Sequence, residues 1–278
     1  MNYFEIEYQL EPLLPAREVL IAELAELGFE SFVETEVGVK AYINEASFND
    51  QLLEGLMMAE IPDMKFNVTK TLIPDRNWNA EWEKNFDPII VNDQCLIKAP
   101  FHKDLPTFEF EILIEPKMSF GTGHHETTHL IIEKMLKMNF DGSKVLDMGC
   151  GTGVLAILAE MKGAGPIDAI DIDEWAFENT VENLERNNCS QIQVLLGGAE
   201  AIPADTFYDI ILANINRNIL TNDMVHYAKH MKRGSQILFS GFYTSDIPEL
   251  ETVAHSLGLK RQNENSRGEW CMLHYELA

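Results

Sequence analysis

Basic residues are scarce in this chain. Lysine and arginine number 21 against 45 acids, a formal net charge of −24. A surface that grips nucleic acid needs a basic patch to meet the phosphates, so no direct nucleic-acid contact is expected. Long apolar runs are missing too. No stretch approaches the roughly 18 residues of a membrane span. The opening Met1-Asn2-Tyr3-Phe4-Glu5 lacks the basic start and apolar core of a secretory signal. Cysteine is limited to Cys95, Cys150, Cys189 and Cys271, with no C-x-x-C pair. Reduced thiols and a cytoplasmic location are therefore expected, without structural zinc. No internal repeat or low-complexity tract occurs. What is present is ordinary for a packed soluble protein: 278 residues, 46% hydrophobic and 24% charged. That length allows one large domain or two of common size. The acidity suits a cationic partner drawn in by long-range steering, or simply a well-solvated surface.

The chain is organised around residues 144–173, KVLDMGCGTGVLAILAEMKGAGPIDAIDID. Lys144 to Asp147 reads as a short buried parallel strand. Gly149, Gly151 and Gly153 follow at alternate positions. Val154 to Met161 has helical composition, and Pro166 to Ile170 is a second strand ending on Asp171. The first turn of such a βαβ unit is where an α/β sheet binds a nucleotide-like ligand. Gly149 and Gly151 let the backbone approach that ligand, and the helix start offers N–H groups. Asp171 is placed to accept hydrogen bonds from vicinal ribose hydroxyls. The spacing is G-x-G-x-G, whereas a dinucleotide loop has G-x-G-x-x-G. A dehydrogenase remains the competing reading of this stretch alone.

Residues 1–73 read as a small α+β unit. Tyr3 to Tyr8 alternates as a strand. Pro15 to Leu27 carries the apolar stripe of a helix, closed by Gly28. Ser31 to Ile43 forms two strands around Gly38, Phe48 to Met58 a second helix, and Lys65 to Ile73 a strand. The order β-α-β-β-α-β is the ferredoxin-like arrangement. Residues 1–70 hold 14 acids against 4 bases, a net of −10. That balance suits docking of a basic protein, or a plain structural cap. Residues 74–87 form a polar helical linker in which Trp78, Trp82 and Phe86 recur every four residues on one face.

Residues 88–278 form the larger domain. Strands are expected at Ile89 to Val91, Cys95 to Ala99 and Phe108 to Ile114. The stretch MSFGTGHHETT, Met118 to Thr128, is a glycine-containing loop entering a helix near Glu126. It is placed to cover a ligand and to offer N–H groups to a carboxylate. His124 and His125 have no acid or thiol at ligand spacing, so no metal is expected. A helix follows from Glu174 to Asn187. Strands are expected at Val194 to Gly197, Phe207 to Ile215 and Ser235 to Gly241. Leu259 to Gln262 and Trp270 to Tyr275 close the sheet as a hairpin. Seven strands alternating with helices exceed a six-strand dinucleotide fold.

The glycine loop with Asp171 resembles motif I and the ribose-binding acid of the class I S-adenosyl-L-methionine methyltransferases. The resemblance reaches further, over essentially the whole chain. FGTGHHETT (Phe120 to Thr128), LDMGCGTGVLAI (Leu146 to Ile157), DID (Asp171 to Asp173), LAN (Leu212 to Asn214) and the linker NWxxxWxxxFxP (Asn77 to Pro88) are similar to the ribosomal protein L-eleven methyltransferase family. That resemblance implies a seven-stranded Rossmann-like methyltransferase sheet behind a ferredoxin-like docking domain. It implies donor binding by Thr128, Gly149, Gly151, Asp171 and Asn214, with Phe120, Gly121, Thr122 and Gly123 closing over the ligand. It also implies methyl transfer to lysine and N-terminal amines of protein eleven of the large ribosomal subunit. His125 is the histidine the motif shares. Glu115, Lys117, Ser119 and Glu126 depart from the family's usual Asp, Gly, Ala and Pro. Asn214 is the candidate for orienting the incoming amine, and no dedicated base is evident. A monomer is expected. Other protein or small-molecule substrates stay open, as does a non-catalytic S-adenosyl-L-methionine or nucleotide-binding protein.

Overall fold

The structure is a computed structural model that describes residues 2–74, 86–116 and 126–278. It divides into two compact units, Met1–Asn85 and Phe86–Ala278. The expected linker helix with Trp78 and Trp82 lies outside the described residues, as does the loop from Phe120 through Gly121, Thr122 and Gly123 to His124 and His125.

The N-terminal unit holds β1 (Tyr3–Glu11), α1 (Ala16–Glu26), β2 (Ser31–Thr35), β3 (Gly38–Asn44) and β4 (Lys65–Ile73). The strands form one antiparallel sheet in the order β2-β3-β1-β4. Leu20 and Leu24 of α1 pack with Ile6, Tyr8, Val39 and Ala41 in a single core. The helix expected over Phe48 to Met58 does not form. Three short 3-10 turns stand there: Glu45–Ser47, Asp50–Leu53 and Met57–Glu60. The reason is local. Asn44 and Asn49 accept hydrogen bonds from the N–H groups of Ala46 and Gln51, so each starts a fresh turn. Such side-chain bonds compete with a continuing helix. Gly55, at φ +70°, breaks the run again.

The second unit begins with β5 (Ile89–Val91), β6 (Cys95–Lys98) and β7 (Phe110–Leu113). β5 pairs antiparallel with β6, and β6 parallel with β7. Then come α2 (Glu126–Leu136), β8 (Val145–Met148), α3 (Val154–Met161), β9 (Ile167–Asp171), α4 (Glu174–Arg186), β10 (Ile192–Leu196) and β11 (Tyr208–Asn214). α5 (Arg217–Lys229), β12 (Met231–Tyr243), α6 (Ile247–Ser256), β13 (Leu259–Arg267) and β14 (Trp270–Leu277) complete it. The large sheet runs β10-β9-β8-β11-β12-β14-β13. β10 through β12 are mutually parallel, and β14 and β13 close the edge antiparallel. Every residue of β8 is buried, as expected for a central parallel strand covered on both faces. From β8 the chain moves outward through β9 to β10, then returns to the other side of β8 as β11. Ligands settle in α/β sheets where the strand order reverses in this way, outside the carboxyl ends of the strands. Here that point lies between β8 and β11.

Candidate functional site

A cavity of about 1220 Å³ opens along the carboxyl edge of the large sheet. It exceeds the roughly 300–1,000 Å³ of common small-molecule sites, leaving room for two reactants. Its floor is Met148, Gly149 and Gly151 after β8. One side is Asp171 to Asp173 with Trp175, joined by Gly197 to Glu200 after β10. The other is Asn214 to Asn216 after β11, with Gly241 and Trp270 beyond.

The glycine loop is held open by backbone geometry. Gly149 has φ +67°, and a Cβ there would stand 2.3 Å from Cγ2 of Ile215. No other residue fits both the left-handed backbone and the contact across the switch point. Asp171 closes the loop from the next strand. Its Oδ2 accepts the N–H of Gly151 at 2.8 Å, and its Oδ1 that of Asp173 at 3.1 Å. Asp173 has a separate task, capping α4 by accepting the N–H groups of Trp175 and Ala176.

Beneath the loop lies Asp147, fully buried. Its Oδ2 accepts the N–H of Ala156, so one amide of the α3 start is consumed within the protein. Its Oδ1 has no partner. Burial pushes this carboxyl up to about 7, opposed by the Ala156 amide and reinforced by the charge of Asp171.

Thr128 and Asn214 are brought together. The amide nitrogen of Asn214 donates to the Thr128 hydroxyl at 3.1 Å. Thr128 is 0% exposed and stands behind Asn214 instead of on the cavity wall. Asn214, 8% exposed, lines the cavity edge, while its Oδ1 is buried and has no partner among the described residues. A buried carbonyl without a donor costs about 1–3 kcal/mol.

The electrostatics are one-sided. Four carboxylates line the cavity, Asp171, Asp173, Glu200 and Asp223, and none of the described lining residues is basic. Backbone N–H groups, Gly198 foremost, hold the Glu200 carboxyl below its ordinary value, whereas burial raises that of Asp223. Such a cavity repels pyrophosphate and favours a cation. This disfavours the dinucleotide reading and fits a ligand with a sulfonium and an ammonium group.

Sequence reasoning missed the supports on α4. Thr180 donates to the Gly151 carbonyl at 2.8 Å, and Asn183 to that of Thr152 at 2.9 Å. The same Asn183 accepts the N–H of Glu115 at 2.9 Å. Asn187 exchanges two bonds with the backbone of Leu113. Asn179, Thr180 and Asn183 are all fully buried. Their signal was polar residues standing on the inward stripe of an amphipathic helix. Two departures from the family pattern are also paired: Glu115 with Arg186 at 2.9 Å and Glu126 with Arg267 at 2.7 Å.

Known proteins resemble this chain closely. The sequence profile described as "Ribosomal protein L11 methyltransferase" matches residues 14–277. A ribosomal protein L11 methyltransferase of Bacteroides fragilis is 45% identical over 280 residues, covering 100% of both chains. That of Chlorobaculum tepidum is 36% identical, covering 97% of this chain and 94% of its own. The crystal structure of a ribosomal protein L11 methylase from Lactobacillus delbrueckii subsp. bulgaricus superposes with a TM-score of 0.64 at 25% identity. It covers 69% of this chain and 99% of the other. A methyltransferase from Pyrococcus furiosus, 19% identical with a TM-score of 0.50 over 59% of this chain and 88% of its own, shares the fold. With its profile matched almost end to end and its sheet shared with solved methyltransferases, the chain belongs to the ribosomal protein L11 methyltransferase family, whose methyl donor is S-adenosyl-L-methionine.

Proposed function

We propose that this protein transfers methyl groups from S-adenosyl-L-methionine to lysine side-chain and N-terminal amines of ribosomal protein L11. The observation that carries the reading is the cavity wall: four carboxylates, no described cation, and the unpartnered carbonyl oxygen of Asn214. Both reactants are cations when free, and this wall attracts both.

S-adenosyl-L-methionine, when bound, supplies an activated methyl group. The protein has the remaining tasks. Gly149 and Gly151 give backbone access, and Asp171 offers lone pairs to ribose hydroxyls beyond the two it uses internally. We assign Phe120, Gly121, Thr122 and Gly123 to cover of the donor. Asn214 orients the incoming amine through its side-chain or neighbouring backbone oxygen, which is mainly a matter of holding reactants at near-attack distance. A lysine amine, of ordinary pKa about 10.4, must first lose a proton. Desolvation and the donor's sulfonium push that value down, the lining carboxylates push it up, and the proton passes to solvent before the neutral amine attacks.

In the same reading, residues 1–73 dock the substrate, 74–87 link, and 88–278 catalyse, in a cytoplasmic monomer without nucleic-acid contacts. The test is incubation with labelled S-adenosyl-L-methionine and purified ribosomal proteins, followed by mass spectrometry of the products. Methyl groups on protein L11 amines are expected. Labelling of some other protein, or of none, would overturn the assignment.

A further inference from the structure

One strip of the N-terminal unit is left bare by its fold. β4 is an edge of the sheet, and none of its nine residues is buried. Register sets Phe66 opposite Leu10, Val68 opposite Tyr8 and Leu72 opposite Phe4. Opposed residues of antiparallel strands share a face. Phe66, Val68 and Leu72 therefore stand on the side of the sheet that carries the core, yet remain 40%, 39% and 44% exposed. The 3-10 turns that replace the expected second helix do not cover them.

Natural edge strands are commonly blunted by short length, proline, bulges or inward charge. β4 has no proline, and its nine pairs with β1 run without a shift of register. The one inward charge, Lys70, is neutralised by Asp50 and lies over the rings of Phe4 and Phe48. The outward row of backbone groups is thus nine residues long and pairs with no other strand among the described residues.

The geometry points to β4 taking up an extended segment of the protein substrate as a fifth strand. This rests on the methylation of a ribosomal protein proposed above. Strand addition draws affinity from main-chain hydrogen bonds and specificity from alternate side chains. Apolar residues of the segment cover Phe66, Val68 and Leu72. Residues between them fall on the opposite face beside Lys65, Asn67, Thr69 and Thr71 of β4, with Glu7 and Glu11 of β1 one strand further in. The unit as a whole draws in a basic protein at long range, since residues 1–70 carry a net of −10.

Hydrogen exchange on the full chain, with and without purified ribosomal protein L11, tests the idea. Amides of residues 65–73 should slow on addition of the substrate. The double variant Phe66→Ser with Leu72→Ser should weaken substrate binding by about tenfold or more, since several interfacial side chains are lost together. Its affinity for S-adenosyl-L-methionine should be unchanged, and its melting temperature should fall only slightly, because both side chains are already partly exposed. Unaltered exchange across β4, or wild-type substrate affinity in the double variant, would overturn strand addition while leaving methylation intact. A wild-type enzyme that leaves protein L11 unmethylated would instead overturn both readings.

Discussion

The amide of Gly151 lies 2.8 Å from the carboxylate of Asp171, tying the loop after β8 to the end of β9. One acid thus shapes the glycine loop and faces the cavity. Asp171→Ala should weaken S-adenosyl-L-methionine binding by about 1.5–3 kcal/mol, the range for hydrogen bonds to a charged group. Calorimetric titration reads this directly, and an unchanged dissociation constant would remove Asp171 from the site.

Gly149→Ala meets two obstacles, a left-handed backbone and a methyl group 2.3 Å from Ile215. The strained backbone alone costs on the order of 1–2 kcal/mol. A lower melting temperature and lost donor binding are expected. Combining it with Ile215→Ala should restore part of the stability, because the contact is relieved and the φ strain is not.

Thr128 holds the side-chain amide of Asn214 in place at the cavity edge. Thr128→Val should lower kcat for methyl transfer with little change in the dissociation constant of the donor. Thr128→Ser, which keeps the hydroxyl, should recover kcat. Asn214→Ala should also cut transfer, and full turnover in that variant would end its orienting role.

Asp147 makes stability depend on pH. Its native value of about 7 lies above the ordinary 3.8, so between these values the native state holds a proton that the unfolded chain has released. Stability then falls as pH rises through that window. Asp147→Asn should flatten the fall in melts taken from about pH 5 to about pH 8.

Much of this was legible in the sequence, for reasons that differ by region. Strand β8, the glycine loop and Asp171 are contiguous, so pattern and spacing suffice. Val154–Met161 emerged with its expected bounds because six consecutive buried residues leave little choice. Phe48 to Met58 misled because its apolar spacing suits a helix while Asn44 and Asn49 divert the backbone. Thr128 was read as a donor-binding residue, and its burial against Asn214 could not be seen from sequence. The bond spans 86 positions, beyond any local pattern. The unpartnered oxygens of Asp147 and Asn214 were equally hidden, since sequence names a polar group without telling what surrounds it.

Asn183 commits its amide nitrogen to Thr152 and its oxygen to Glu115. Aspartate would keep the length but forfeit the donor; leucine would forfeit both; glutamine would overshoot by a carbon. A single side chain therefore ties the glycine loop to the stretch after β7, and only a carboxamide of this length makes both ends of the tie.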